Sequence, residues 1–204
     1  MNLESPYPPQ MKGQPGADEL TRQALEEGVA PGDILNKALV PAMSRVGQKY
    51  TENKIFVPQM LLSAKAMSAS MAHLKPYFQS GEIQRRGVLI MGTVMGDLHD
   101  IGKNLCCMMV EGAGWQVVDL GVDVKPEKFI SALDEHPNAI VGLSALLTTT
   151  MVNMGTIITA IRQKYPDTKV AVGGAPVNSD FAESIGANGY GKDPQELIMW
   201  LDKS

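Results

Sequence analysis

The rhythm of apolar and polar residues changes once along this chain, in the region of residues 80–86. From about 18 to 78 the apolar positions recur at spacings of three and four, the period of one helix face. Leu20, Ala24 and Leu25 mark a short first helix ending near Gly28. Ile34, Leu35, Ala38, Leu39, Ala42, Met43 and Val46 mark a second helical stretch, followed by Gly47. The run from Ile55 to Leu74 predicts another, with Pro58 near its first turn, where a missing backbone N–H costs least. Helices this short cannot each bury a face alone, so they are expected to pack as a small bundle. Residues 1–17 hold four prolines and little periodicity, which predicts a frayed or extended leader.

After Pro76 the pattern becomes one of short apolar, β-branched runs bounded by glycine. Strands are expected at 87–92, 115–121, 138–144 and 169–175, with a degenerate fifth near Asn188 to Tyr190. Helix-like stretches separate them at 102–113, 126–136 and 148–164, and two more are expected at 178–185 and 194–202. Alternation of strand and helix argues a parallel sheet covered on both faces. The fold class is therefore α/β: an N-terminal helical bundle followed by a Rossmann-like, flavodoxin-like doubly wound domain. The expected division is a flexible leader at 1–17, a helical unit at 18–83 and an α/β domain at 84–204.

Composition narrows the class of function. A length of 204 residues suits one ordinary domain or two compact units, and 44% hydrophobic with 20% charged residues and a net charge of −4 describes a globular protein. No basic stripe is present, so nucleic acid is not an expected partner. No apolar run reaches about 18 residues, and the N-terminus lacks the basic and apolar regions of a signal peptide. No membrane association and a cytoplasmic location are expected. Cys106 and Cys107 are adjacent in a helical stretch, where they form neither a redox pair nor a disulfide framework, and read as small packed residues.

In a doubly wound sheet, ligands sit beyond the carboxyl ends of the strands, near the point where strand order reverses. Three loops there are polar or glycine-rich: TVMGDLHDIGKN after the first strand, SALLTTT after the third and GGAPVNS after the fourth. Gly92, Gly96 and Gly102 are expected to give the first loop freedom in φ. No G-x-G-x-x-G opens the first helix, which argues against a nicotinamide or flavin dehydrogenase. His99 lies in the first loop, two residues after Asp97, and a carboxylate is the usual partner that fixes an imidazole tautomer. Spacing alone leaves open metal ligation, ordinary loop hydrogen bonding and acid–base catalysis. His73 and His136 read as surface or capping residues. A closed zinc site needs three or four ligands, which these loops do not supply. A metal already held by four in-plane nitrogens of a macrocycle needs only one.

These loops carry a known signature. D-x-H-x-x-G stands at Asp97, His99 and Gly102; after 41 residues, S-x-L stands at Ser144 and Leu146; after 26 more, G-G stands at Gly173 and Gly174. In this the chain resembles the corrinoid (cobalamin-binding) proteins of anaerobic methyltransferase systems, and the helical cap and cobalamin-binding domains of cobalamin-dependent methionine synthase. The resemblance spans about residues 18 to 204. It implies cobalamin or a related corrinoid, its cobalt cycling between Co(I) and methyl-Co(III), with His99 as lower axial ligand and the nucleotide tail buried in the α/β domain. It implies that Asp97 accepts a hydrogen bond from the other ring nitrogen, and that Thr150 takes the place of a relay serine. Ser144 then meets the buried benzimidazole, Leu146 lines its slot, and Gly173 and Gly174 leave room for the tail. Gly96 and Gly102 keep the entrance loop close to the macrocycle, and Asp100, Ile101 and Thr148 join the cofactor contacts. Family cap positions fall at Tyr50, Val57 and Met60, of which Val57 and Met60 also read as bundle core.

The implied function is a methyl carrier. A donor-specific methyltransferase would load it, an acceptor methyltransferase would pass the group to an acceptor such as tetrahydrofolate or coenzyme M, and a reductive activator would rescue oxidised cobalt. Competing readings are a cobalamin-binding regulator or light sensor, the small subunit of an adenosylcobalamin mutase, and a cofactor-free hydrolase using Asp97, His99 and Asp100.

Overall fold

The computed structural model describes residues 13–204, so most of the expected leader lies outside the described residues. Two compact units are present. One runs to Arg85 and takes in Gly112–Gly114; the other comprises Arg86–Glu111 and Trp115–Ser204.

The first unit is helical: α1 (Ala17–Glu26), α2 (Pro31–Asp33), a π-helical segment (Ile34–Leu39), α3 (Val40–Thr51) and α4 (Val57–Gln79). The Gly16 N–H donates to Glu19 Oε2 at 2.9 Å and starts α1, and Gly28, with φ of 81°, follows its end. Helix α3 continues through Gly47 to Thr51. Ahead of it, the Val40 N–H donates to the Leu35 carbonyl, one residue beyond the α spacing. Pro41 has no N–H and its ring opposes the carbonyl four residues back, so the ladder widens there. Apolar periodicity cannot distinguish this wider turn from an ordinary one. Pro58 lies in the first turn of α4 as expected. Thr21 Oγ1 donates to Ser70 Oγ at 2.9 Å, and His73 Nε2 meets Asp18 Oδ1 at 2.6 Å. His73 is thus neither a loose surface residue nor a cap: it ties α4 to α1.

The second unit is a five-stranded parallel sheet, β1 (Val88–Thr93), β2 (Gln116–Asp119), β3 (Ile140–Ser144), β4 (Val170–Gly173) and β5 (Gly189–Gly191), in the order β2-β1-β3-β4-β5. The direction of winding reverses between β1 and β3, the doubly wound arrangement the sequence predicts. The helices are α5 (Ile101–Gly112), α6 (Pro126–Glu135), α7 (Thr148–Met151), α8 (Asn153–Lys164), α9 (Ser179–Ser184) and α10 (Pro194–Leu201). His136 is the C-cap of α6, as its place before Pro137 suggests. Ile90, Val141, Leu143 and Val172 from the strands pack with Phe129, Leu133, Met154 and Ile157 in one core. The register pairs Thr93 with Ser144, and Ser144 with Gly173. That places the carboxyl ends of β1, β3 and β4 side by side. Among the described residues, no helix is long and apolar enough to cross a membrane.

Candidate functional site

At this edge the β1 and β3 loops meet on one carboxylate. Asp97 is fully buried. Its Oδ1 lies 2.7 Å from His99 Nδ1 and accepts from the His99 backbone N–H at 3.1 Å. Its Oδ2 accepts from the Leu146 N–H at 2.8 Å, the Leu147 N–H at 3.3 Å and the Thr150 hydroxyl at 2.6 Å. Burial alone would raise the pKa of this carboxyl, but the hydrogen bonds from Thr150, Leu146 and His99 outweigh it and hold it well below the usual carboxylate range. Asp97 is therefore ionised and acceptor-only, which makes His99 Nδ1 the protonated ring nitrogen. Nε2 is left with a lone pair, and no hydrogen bond to it is found among the described residues. The imidazole is 51% exposed, so that lone pair is open to a ligand.

Thr150 is buried, at the start of the helical stretch after β3, and its hydroxyl completes the chain His99–Asp97–Thr150. The structure brings these three together across about fifty residues of sequence. Ser144 ends β3 half-buried, and its hydroxyl makes no protein hydrogen bond among the described residues. Leu146 and Thr148 are exposed beside it. Asp100 accepts from Asn104 Nδ2 at 3.0 Å in the first turn of α5, next to exposed Ile101. Met60 is buried within the helical unit, while Tyr50 and Val57 are half-buried there.

The φ freedom expected of the first loop's glycines is realised at one of the three. Of Gly92, Gly96 and Gly102, only Gly96 takes a positive φ, 84°. Gly92 lies within β1, where a Cβ would come 2.7 Å from the Phe129 ring, so its purpose is close packing. Gly102 is helical with nothing within 4 Å of a Cβ, so protein packing does not demand a glycine there. Gly173 would press 2.7 Å from the Gly191 carbonyl, and Gly174, at φ 123°, would place a Cβ 1.9 Å from the Ala145 carbonyl. These two are required by the approach of neighbouring backbone.

Several residues at this edge lie outside the sequence signature. Lys103, 1% exposed, donates to both oxygens of Asp119 at 2.6 and 2.5 Å. Asn153 Nδ2 donates to the Met95 carbonyl at 2.8 Å, and Asp123 accepts from the Gly96 N–H at 2.7 Å. A charged residue on an otherwise apolar helix face was the one available hint, at Lys103. Cys106 and Cys107 are free, and burial pushes both thiols up to about 12.

The donor set fits a metal that needs one protein ligand. Among the described residues no three His, Cys, Asp or Glu side chains are grouped to hold an ion. Leu98, Ile101, Leu146, Leu147 and Val152 nevertheless stand exposed on the two loops that meet at Asp97 and the helix starts that follow them, apolar surface suited to a broad planar ligand. A corrinoid, which brings four cobalt ligands of its own, calls for one further donor beside apolar surface, and both are present here.

A B12 binding domain family matches residues 87–198, and a second B12 binding domain family matches residues 14–75. Trimethylamine corrinoid protein 1 of Methanosarcina mazei is 36% identical over 186 residues, which cover 89% of this chain and 86% of that protein. A crystal structure of a cobalamin-binding protein from Desulfitobacterium hafniense superposes with a TM-score of 0.76 at 29% identity, covering 91% of this chain and 89% of the other. The methanol:cobalamin methyltransferase complex MtaBC of Methanosarcina barkeri contains a chain that superposes with a TM-score of 0.79 at 30% identity, covering 92% of this chain and 73% of that one.

Proposed function

The chain belongs to the family built on the B12 binding domain, and from that premise we propose that it is a corrinoid methyl carrier in which His99 would hold the cobalt. The observation behind the assignment is the His99 ring itself, with Nδ1 committed to a buried, ionised Asp97 and Nε2 free. When bound, the corrinoid supplies a cobalt centre able to accept a methyl group from a donor and give it to an acceptor.

What the chain contributes is orientation of the imidazole. Asp97 fixes the tautomer, and Thr150 and the leucine amides fix Asp97. Gly96, Asp100, Ile101, Gly102 and Thr148 are assigned to cofactor contact around the first and third loops. Ser144, Leu146, Gly173 and Gly174 are assigned to the nucleotide tail. In the helical unit Tyr50, Val57 and Met60 are the residues assigned to the cofactor.

Methyltransferases act on the carrier. A donor-specific enzyme would load it, an acceptor enzyme would unload it to tetrahydrofolate or coenzyme M, and a reductive activator would return oxidised cofactor to use. A cytoplasmic location is part of this reading. Reconstitution with hydroxocobalamin, followed by methylation assays with each candidate partner, tests the assignment. The wild type should retain the corrinoid with a histidine-ligated spectrum, and His99→Ala should retain the fold and lose that spectrum. A protein that holds no corrinoid, or an unaltered spectrum in His99→Ala, overturns it.

A further inference from the structure

Asp97, Thr150 and the leucine amides hold the His99 imidazole through contacts with the β3 loop. A second set of contacts holds its backbone from the end of β1 and from the loop after β2. Thr93, the last residue of β1 and fully buried, donates its hydroxyl to the His99 carbonyl at 2.9 Å. Asp123, in the loop after β2, accepts from the Gly96 N–H at 2.7 Å, while its own N–H donates to the Asp97 carbonyl at 3.0 Å. The same loop is stitched to β1 by Thr93 N–H to Gly121 carbonyl and Val124 N–H to Thr93 carbonyl, each 3.0 Å.

Asp123 adopts this place at a conformational cost. Its φ is 51°, in the left-handed region that favours glycine. A glycine would serve the turn more easily, as Gly121 does two residues earlier at φ 87°. What glycine lacks is the carboxylate that meets Gly96. Strained backbone retained at a ligand loop points to a use for the side chain. Asp97 can set the rotation of the imidazole, but the ring also travels with its own Cα, and axial ligation tolerates displacement of only about half an ångström.

Resting on the assignment of His99 as ligand, we propose that Thr93 and Asp123 are positioning residues. Together, from the end of β1 and from the loop after β2, they fix the Gly96–His99 turn and so set how completely the imidazole ligates cobalt.

The test uses full-length protein labelled with 15N, loaded with hydroxocobalamin, reduced to cobalt(II) and read by electron paramagnetic resonance. An axial 15N from the protein splits the cobalt lines into doublets, whereas the unlabelled nitrogen of the cofactor's own base gives triplets. Asp123→Gly removes the carboxylate while relaxing the backbone, and Thr93→Val removes the hydroxyl at nearly constant volume. Asp123→Asn and Thr93→Ser keep an acceptor and a hydroxyl respectively. Thermal unfolding of the apo proteins is followed in parallel.

We expect the doublet fraction to fall at least threefold in Asp123→Gly and Thr93→Val, and to return in Asp123→Asn and Thr93→Ser, with apo Asp123→Gly as stable as the wild type. Should Thr93→Val fail to fold, Asp123→Gly decides alone. Wild-type doublets in Asp123→Gly, with none in His99→Ala, overturn the positioning role while leaving the ligand assignment standing. Doublets that persist in His99→Ala overturn the ligand assignment, and the positioning role with it.

Discussion

Asp97 is ionised in a place where burial alone would raise its pKa, and this makes acid its weak point. Its folded pKa lies below its unfolded value, so it contributes stability that is present above the unfolded pKa and lost as pH falls through the folded one. Stability of the apo protein should therefore decline from about pH 4 downward in part through this group. Asp97→Asn should lower stability at neutral pH and flatten the acid limb, as a pH series of urea midpoints would show. Equal acid limbs in variant and wild type would refute the account. At this scale the D-x-H pair is legible in sequence, because ligand and orienting carboxylate are two residues apart. Thr150 is legible only through the family register. Thr93, Asp123 and Asn153 are not, since a hydroxyl, a loop carboxylate and an amide have no periodicity to betray them.

At the scale of elements, the glycines and one buried ion pair separate packing from ligand binding. Gly174→Ala forces a Cβ to within 1.9 Å of the Ala145 carbonyl at φ 123°, so the folded state should lose about 3 kcal/mol or more. Gly102→Ala meets nothing within 4 Å and lies in a helix, so apo stability should hold or rise by up to about 1 kcal/mol. Its corrinoid retention on gel filtration should nevertheless fall, because the open space is assigned to the cofactor. Unimpaired retention would remove Gly102 from the site. The Lys103–Asp119 pair is lopsided, with side-chain exposures of 1% and 40%. Asp119→Ala strands a buried ammonium and should cost about 3 kcal/mol. Lys103→Met leaves a carboxylate that water can reach and should cost about 1 kcal/mol, a difference that paired denaturation curves would resolve. Strand and helix positions follow from local periodicity. The π-helical segment ahead of Pro41 does not, because its widened ladder preserves the apolar spacing well enough to pass for an ordinary helix.

For the molecule as a whole, cofactor binding and folding are linked. Hydroxocobalamin at about a hundred times its dissociation constant should add about 2.7 kcal/mol to stability, and the unfolding temperature should climb with free cofactor. A concentration-independent midpoint would contradict specific binding to the folded state. By itself the sequence determined the two periodicities, the helical and α/β units they build, and the signature from Asp97 to Gly174, since each depends on residues close along the chain or at constant separations. Only the tertiary structure decided that the β1 and β3 loops share one carboxylate, that Asp123 reaches back to Gly96, and that Gly173 and Gly174 are crowded by backbone. Those contacts depend on strand order and ladder register, which arise when distant segments compete to bury their apolar faces together, and no local pattern records the outcome of that competition.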